Sequence, residues 1–192
     1  MMEYSAETIF DRAISSVESG LKPSQLKSLW TMYVNKVTKL TKSLNVVGAV
    51  TSYHEHGSVY PTIVNMSQED RHIQPLIVGE GNFGNYTSKQ LTAASDRYTN
   101  IKLSEIALDG LKEIDKRYVE MIPTYDNKKV MPLYLPSKYP VILTQATNGM
   151  AVGMASSMPS FNFNEVCNAI DKYIVTGEKE YLTWLERKDK GV

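Results

Sequence analysis

The stretch Pro75-Leu76-Ile77-Val78-Gly79-Glu80-Gly81-Asn82-Phe83-Gly84 decides the fold. Its first four residues form an apolar run that predicts a short strand, and the glycines that follow predict a tight loop permitting close backbone approach. The glycines match G-x-G-x-x-G, the spacing of a dinucleotide-binding loop. That fingerprint also needs a helix opening at the third glycine and an acid about twenty positions on at a strand end. Asn85-Tyr86-Thr87-Ser88 reads as loop instead, so the nucleotide reading is rejected.

Upstream of this strand the sequence predicts a succession of short helices. The first spans Ala6 to Val17 and is closed by Ser19-Gly20, since glycine takes the left-handed cap conformation. After Pro23, Leu26, Leu29, Trp30, Tyr33 and Val37 recur at helical spacing and give a second. A third runs from Leu44 to Thr51, and a fourth lies within Tyr60 to Gln68. Short helices followed by a strand read as a helix-turn-helix region with a wing, a module that places one helix in the DNA major groove.

Downstream, an amphipathic segment begins near Ile101, with a helical stripe through Ala107, Leu111, Ile114 and Tyr118. Pro123, Pro132, Pro136 and Pro140 then exclude a long helix. Val141-Ile142-Leu143 and Ala151-Val152-Gly153-Met154 predict short strands around a hairpin turn at Asn148-Gly149, and Phe163 to Val175 predicts a final helix. The expected fold class is α+β, with a winged-helix domain over residues 1–110 and a second, mixed α/β region over residues 111–192.

At 192 residues, 42% apolar and 22% charged, the chain has the composition of a folded globular protein. Its single cysteine, Cys167, excludes an internal disulfide framework, points to a reducing compartment, and reads as a small buried apolar residue. No basic N-terminal region precedes an apolar stretch, and no run of about 18 apolar residues occurs, so neither secretion nor membrane spanning is expected. Net charge is zero, yet from Ser19 to Asn65 five lysines (Lys22, Lys27, Lys36, Lys39, Lys42) stand against Glu55 alone. Such a basic block suits nucleic acid, and suits a solvated lysine face equally.

The chemistry-bearing candidate is Arg97-Tyr98-Thr99. A phenol titrates near pH 10, so an attacking tyrosine needs a neighbouring cation or base, and Arg97 supplies a permanent charge next door. Arginine's planar fork also suits phosphate oxygens. The pair has the parts for attack on a phosphodiester, with the guanidinium stabilising the pentacovalent transition state. The chain has twelve tyrosines, however, and an Arg-Tyr pair alone more often marks a surface arginine beside a half-buried ring. His54-Glu55-His56 does not have a zinc spacing with His72 and Cys167. Beside Gly57, ahead of a helix, the two histidines suit a phosphate, or loop carbonyls equally well.

Taken in order, Ser19-Gly20-Leu21-Lys22-Pro23, Tyr53-His54-Glu55-His56-Gly57, Gly81-Asn82-Phe83-Gly84, Ala93-Ala94-Ser95-Asp96-Arg97-Tyr98-Thr99 and Gly149-Met150-Ala151-Val152-Gly153-Met154-Ala155 resemble the breakage-reunion subunit of type IIA DNA topoisomerases. That family comprises the A subunit of DNA gyrase and its topoisomerase IV counterpart. Collinear motifs over roughly residues 4–175 carry the resemblance together.

The resemblance implies a winged-helix domain running into the base of a tower domain, in a homodimer that cuts both strands of one duplex and passes another through. It implies that Tyr98 attacks the phosphodiester and holds the 5′ end, that Arg97 stabilises the transition state, and that Arg12 supports the active site. Lys22, Lys27, Lys42, His54 and His56 fall on positions expected to contact DNA. Met150 falls where the family wedges an aliphatic side chain between base pairs. Catalytic Mg2+ is expected on the carboxylates of a separate TOPRIM-bearing subunit that also uses ATP, leaving no metal site on this chain. The expected location is cytoplasmic, or an infected cell for a viral source.

The sequence departs from the pattern in places. Leu26 and Lys27 stand where the family has an arginine pair, and Gln25 fits the topoisomerase IV form of the motif. The segment between Tyr53 and Thr62 is two residues shorter, Pro61 replaces an acid near Ser58, and the segment between Gly84 and Arg97 is two residues longer. Most of the tower, the exit gate and any C-terminal DNA-wrapping domain are missing, and Glu178 to Lys190 reads as a solvated helix or an extension outside the family. The alternative is a truncated homologue that binds DNA or a partner without chemistry.

Overall fold

The computed structural model describes residues 14–177 apart from 86, 89, 113, 115–117, 152 and 153. The predicted first helix falls mostly outside these, and its last residues, 14–17, are bend and turn rather than helix. The charged tail after residue 177 and Arg12 also lie outside them.

Helix α1 (Pro23–Val34) opens on a proline, which has no amide to leave unpaired in the first turn. The Lys22 N–H donates to Gln25 Oε1 at 2.9 Å. Leu26, Leu29 and Trp30 face inward, as their spacing predicts. Ser28 and Thr31 are fully buried beside them, each donating its hydroxyl at 2.7 Å to the carbonyl four residues back, so neither carries an unmet polar group inward. Lys36, at φ 54, turns the chain, and the Val37 N–H bonds Met32 O at 2.9 Å, folding Val37 back into the core.

Strand β1 (Thr41–Lys42) runs into α2 (Ser43–Val50), followed by α3 (Tyr60–Ser67) and β2 (Ile77–Glu80). The amphipathic segment near Ile101 is not helical at its start: Asn100–Leu103 forms strand β3, the middle of a three-stranded antiparallel sheet in the order β1-β3-β2. Thr41 pairs with Ile101 and Ile77 with Leu103. Alternation then buries Ile77, Ile101 and Leu103 on one face. Helix α4 (Glu105–Leu111) starts only after Ser104, whose hydroxyl accepts the Ala107 N–H at 3.3 Å. It buries Ala107 and Leu111, whereas Tyr118 is 78% exposed and belongs to no helical stripe.

Beyond α4 come a hairpin of β4 (Met121–Pro123) and β5 (Val130–Pro132), the short helix α5 (Val141–Thr144), a hairpin of β6 (Thr147–Ala151) and β7 (Met154–Met158), and α6 (Phe163–Thr176). Two expectations are corrected here. Val141-Ile142-Leu143 is a helical turn rather than a strand, closed by the Gln145 N–H on Val141 O at 2.9 Å. Asn148-Gly149 is not the hairpin turn: both residues sit within β6, opposite Ser157 and Ser156, and the pairing continues to Ala151 opposite Met154. Cys167 is half-buried, not a core residue, and α6 ends at Gly177 in the left-handed region, φ 70.

Helices and small antiparallel sheets together make this an α+β fold. One apolar cluster joins Leu21, Leu29, Met32, Val50, Ile63, Ile77, Ile101 and Leu111 to Met131, Leu135 and Val141. Gly20 makes that junction possible: at φ +66 it packs so closely that a Cβ would lie 2.3 Å from the Ile142 nitrogen.

Candidate functional site

Tyr98 ends a short 3-10 turn, Asp96–Tyr98, that precedes β3. Its N–H bonds Ser95 O at 2.8 Å, and its side chain is 68% exposed. Arg97 is exposed as well, with its guanidinium carbon 5.6 Å from the Tyr98 ring centroid and its Nε donating to Ser95 Oγ at 3.4 Å. The cation and the phenol predicted to act together are therefore neighbours at the surface, open to a large ligand.

Immediately after this pair the chain dives inward. Thr99 is fully buried, and its carbonyl accepts the Ser43 N–H at 3.0 Å. Its hydroxyl donates to Ser43 Oγ at 2.8 Å, and the Tyr60 hydroxyl, 2.9 Å from Thr99 Oγ1 and 2.8 Å from Ala94 O, shares its one proton between those two acceptors. The glycine-rich loop backs the same segment. Gly81, at φ +115, comes so close that a Cβ there would lie 3.3 Å from the Thr99 methyl and 3.4 Å from the Tyr98 carbonyl oxygen. Asn82 O accepts the Ala94 N–H at 2.9 Å, and Gln68 Nε2, just past α3, donates to Phe83 O at 2.9 Å. No helix follows Gly84 in the described part of the loop, in line with rejection of a dinucleotide fingerprint.

The basic residues fall into three groups. Lys42 on β1 pairs with Asn100 and is exposed beside the Tyr98 segment. Lys22 caps α1 and donates its ammonium to the Asn148 carbonyl, which links it to the hairpin presenting Met150, 88% exposed. Burial and then Arg71 lower the Lys22 pKa from its usual value. His54 and His56 follow α2, their rings 5.8 Å apart and edge-on, with His56 Nε2 3.4 Å from the Glu55 carboxylate. Lys27 is half-buried along α1.

Three residues that the sequence did not single out join these groups. Arg71 acts electrostatically on both Lys22 and His72, making a local concentration of positive charge. Lys129 lies 5.0 Å over the ring of Tyr53, next to His54, because Tyr125 donates to Thr51 O at 3.2 Å and docks the β4–β5 hairpin there. Tyr60 reaches the Tyr98 segment from α3. The only forecast of these was the residue types themselves, since their partners lie distant in sequence. His72, 2% exposed, is held neutral: burial and then Arg71 push its pKa down to about 4.

Among the described residues, no three His, Cys, Asp or Glu side chains gather in a way that could hold a metal ion. Near Tyr98, Asp96 accepts from Ser95 Oγ at 3.1 Å and Glu80 from Asn100 Nδ2 at 2.7 Å. These two carboxylates are bound to separate donors and do not form a cation site by themselves.

An exposed tyrosine–arginine pair thus stands on an α+β scaffold with the exposed Lys42 on the strand beside it. The sequence family of the DNA gyrase and topoisomerase IV A subunits matches residues 12–187, and the chain belongs to it. It is 41% identical over 178 residues to the DNA gyrase A subunit of Ureaplasma parvum and 40% identical over 181 residues to that of Buchnera aphidicola. In both, 90% of this chain is covered but only 21% of the relative. The chain thus spans about a fifth of the length of these relatives. A DNA gyrase A-subunit sequence from Spiroplasma citri is 37% identical over 191 residues, covering 96% of this chain and 82% of that one.

Proposed function

We propose that this chain is the DNA-cleaving part of the A subunit of a type II topoisomerase, and that Tyr98 is its nucleophile. The observation that carries the reading is the exposed Tyr98 ring beside Arg97, on a turn anchored from behind by buried Thr99. The Tyr98 phenolic oxygen attacks the phosphorus, the new O–P bond holds the 5′ end, and the bond to the departing 3′ oxygen breaks. The phenolic proton passes to solvent, and the 3′ oxygen takes up a proton as it leaves. Arg97 offsets charge on the phosphoryl oxygens. The reverse reaction reseals the strand without outside energy, since the ester to Tyr98 keeps the bond energy.

In this reading α1 to α3 with the β1-β3-β2 sheet form a winged helix, and Lys22, Lys27, Lys42, His54 and His56 meet the phosphate backbone. The exposed Met150 wedges between base pairs and bends the duplex. In this reading Mg2+ is held by the carboxylates of a partner protein with a TOPRIM domain, which also uses ATP. Homodimerisation and a cytoplasmic setting complete the proposal. No described helix is long and apolar enough to cross a membrane.

The test is a cleavage assay on supercoiled DNA with the TOPRIM partner and magnesium. The proposal expects a covalent protein–DNA adduct that Tyr98→Phe abolishes. An adduct that survives the substitution removes Tyr98 from the mechanism, and salt-sensitive binding without any adduct makes the chain a binding module instead.

A further inference from the structure

We propose that Thr99 is a positioning residue for Tyr98, acting through a hydroxyl network with Tyr60 and Ser43 that ties α2 and α3 to the placement of the nucleophile. The inference rests on Tyr98 being the attacking group. Tyr98 lies on one short turn: its amide bonds Ser95 O, its ring meets the Arg97 guanidinium, and the chain continues directly into Thr99. Thr99 is the first residue behind the phenol that is wholly buried, with 0% exposure.

Three parts of the chain converge on it. Ser43, at the start of α2, exchanges both a backbone bond at 3.0 Å and a hydroxyl bond at 2.8 Å with Thr99. Tyr60, in the first turn of α3, reaches Thr99 Oγ1 at 2.9 Å and Ala94 O at 2.8 Å, and so clamps both ends of the turn that carries Arg97 and Tyr98. Gly81 closes against the Thr99 methyl from the glycine loop. A buried hydroxyl with two partners is an all-or-none arrangement, because an unpaired one is costly in that setting. A shift of α3 is therefore passed through Tyr60 to the backbone immediately behind the phenol. In-line attack tolerates little misplacement, and an error of about 1 Å costs a rate factor on the order of 100.

The experiment compares Thr99→Val, which keeps the shape and loses the hydroxyl, with Thr99→Ser, which keeps the hydroxyl. Both are made in the full-length polypeptide carrying these residues, assembled with its TOPRIM partner. The single-turnover rate of adduct formation at saturating DNA and the DNA Kd are measured separately. Thr99→Val is expected to slow adduct formation by about 10- to 100-fold with Kd within about twofold of the parent, and Thr99→Ser to restore most of the rate. Tyr60→Phe gives the same pattern from the other end of the network, and covers the case in which Thr99→Val does not fold. Thr99→Val or Tyr60→Phe cleaving at the parental rate overturns the inference, as does Thr99→Ser being no faster than Thr99→Val. Tyr98→Phe run alongside separates the levels: an adduct that persists there defeats the nucleophile assignment itself.

Discussion

Replacing Gly20 by alanine tests how the two halves of the described chain are joined. The new Cβ would lie 2.3 Å from the Ile142 nitrogen and 2.9 Å from the Val141 carbonyl carbon, both main-chain atoms that cannot rotate away. Restoring van der Waals contact requires the 19–21 and 141–142 segments to part by about 1 Å. Leu21 and Val141, 5% and 6% exposed, lose packing as they separate, at about 1–3 kcal/mol. Holding a non-glycine residue at φ +66 adds about 1–2 kcal/mol. For a chain of this length the combined loss lowers Tm by roughly 5–15 °C. Thermal unfolding followed by circular dichroism measures it, with Gly48→Ala as the companion. Gly48 lies on the exposed side of α2 with nothing within 4 Å of its added methyl, and alanine there should stabilise by about 0.5–1 kcal/mol. A Gly20→Ala protein melting within about 2 °C of the parent refutes the close-packed junction.

Three further outcomes are expected. His72 has a folded pKa near 4 against 6.5 when free, so the unfolded chain binds the extra proton first; its contribution is whole above pH 6.5 and is lost as pH falls towards 4, by about 3 kcal/mol in all. His72→Phe should flatten the fall of Tm between pH 7 and 4.5, and an unchanged slope shows that other groups govern it. Lys22→Met keeps the stem but loses the ammonium, so the plot of log K against log salt for DNA should flatten by about 1; an identical slope means Lys22 meets no phosphate. Met150→Ala should leave Tm unchanged, since the side chain is 88% exposed, while fluorescence energy transfer between duplex ends reports a smaller bend. A duplex bent as before assigns the bending elsewhere.

What the sequence disclosed depended on how local the determining physics was. Helix α1 was legible because Leu26, Leu29 and Trp30 repeat at 3.6-residue spacing after a proline start, and α6 because its apolar stripe runs without interruption. Strand β3 was not, because four residues of alternation, Asn100-Ile101-Lys102-Leu103, run straight into the helical spacing of Ala107 and Leu111. Only pairing with Thr41 and Ile77 decides its conformation. Val141-Ile142-Leu143 shows the converse: a three-residue apolar run fits either state, and the short helix forms where Val141 enters the shared core. At the site, Tyr98 and Arg97 stood out through a motif rather than through any property of the pair. Tyr60, Arg71 and Lys129 gave no signal, since each acquires its place through contacts made only on folding.

The middle strand of the β1-β3-β2 sheet is the last of the three to be synthesised. Until residues 100–103 leave the ribosome, β1 and β2 have no partner to pair with, and the turn carrying Tyr98 has no strand to continue into. Assembly of the sheet and placement of the phenol are thus one event in the life of the nascent chain. A translation product that stalls or is clipped before Leu103 has a tyrosine but no seat for it.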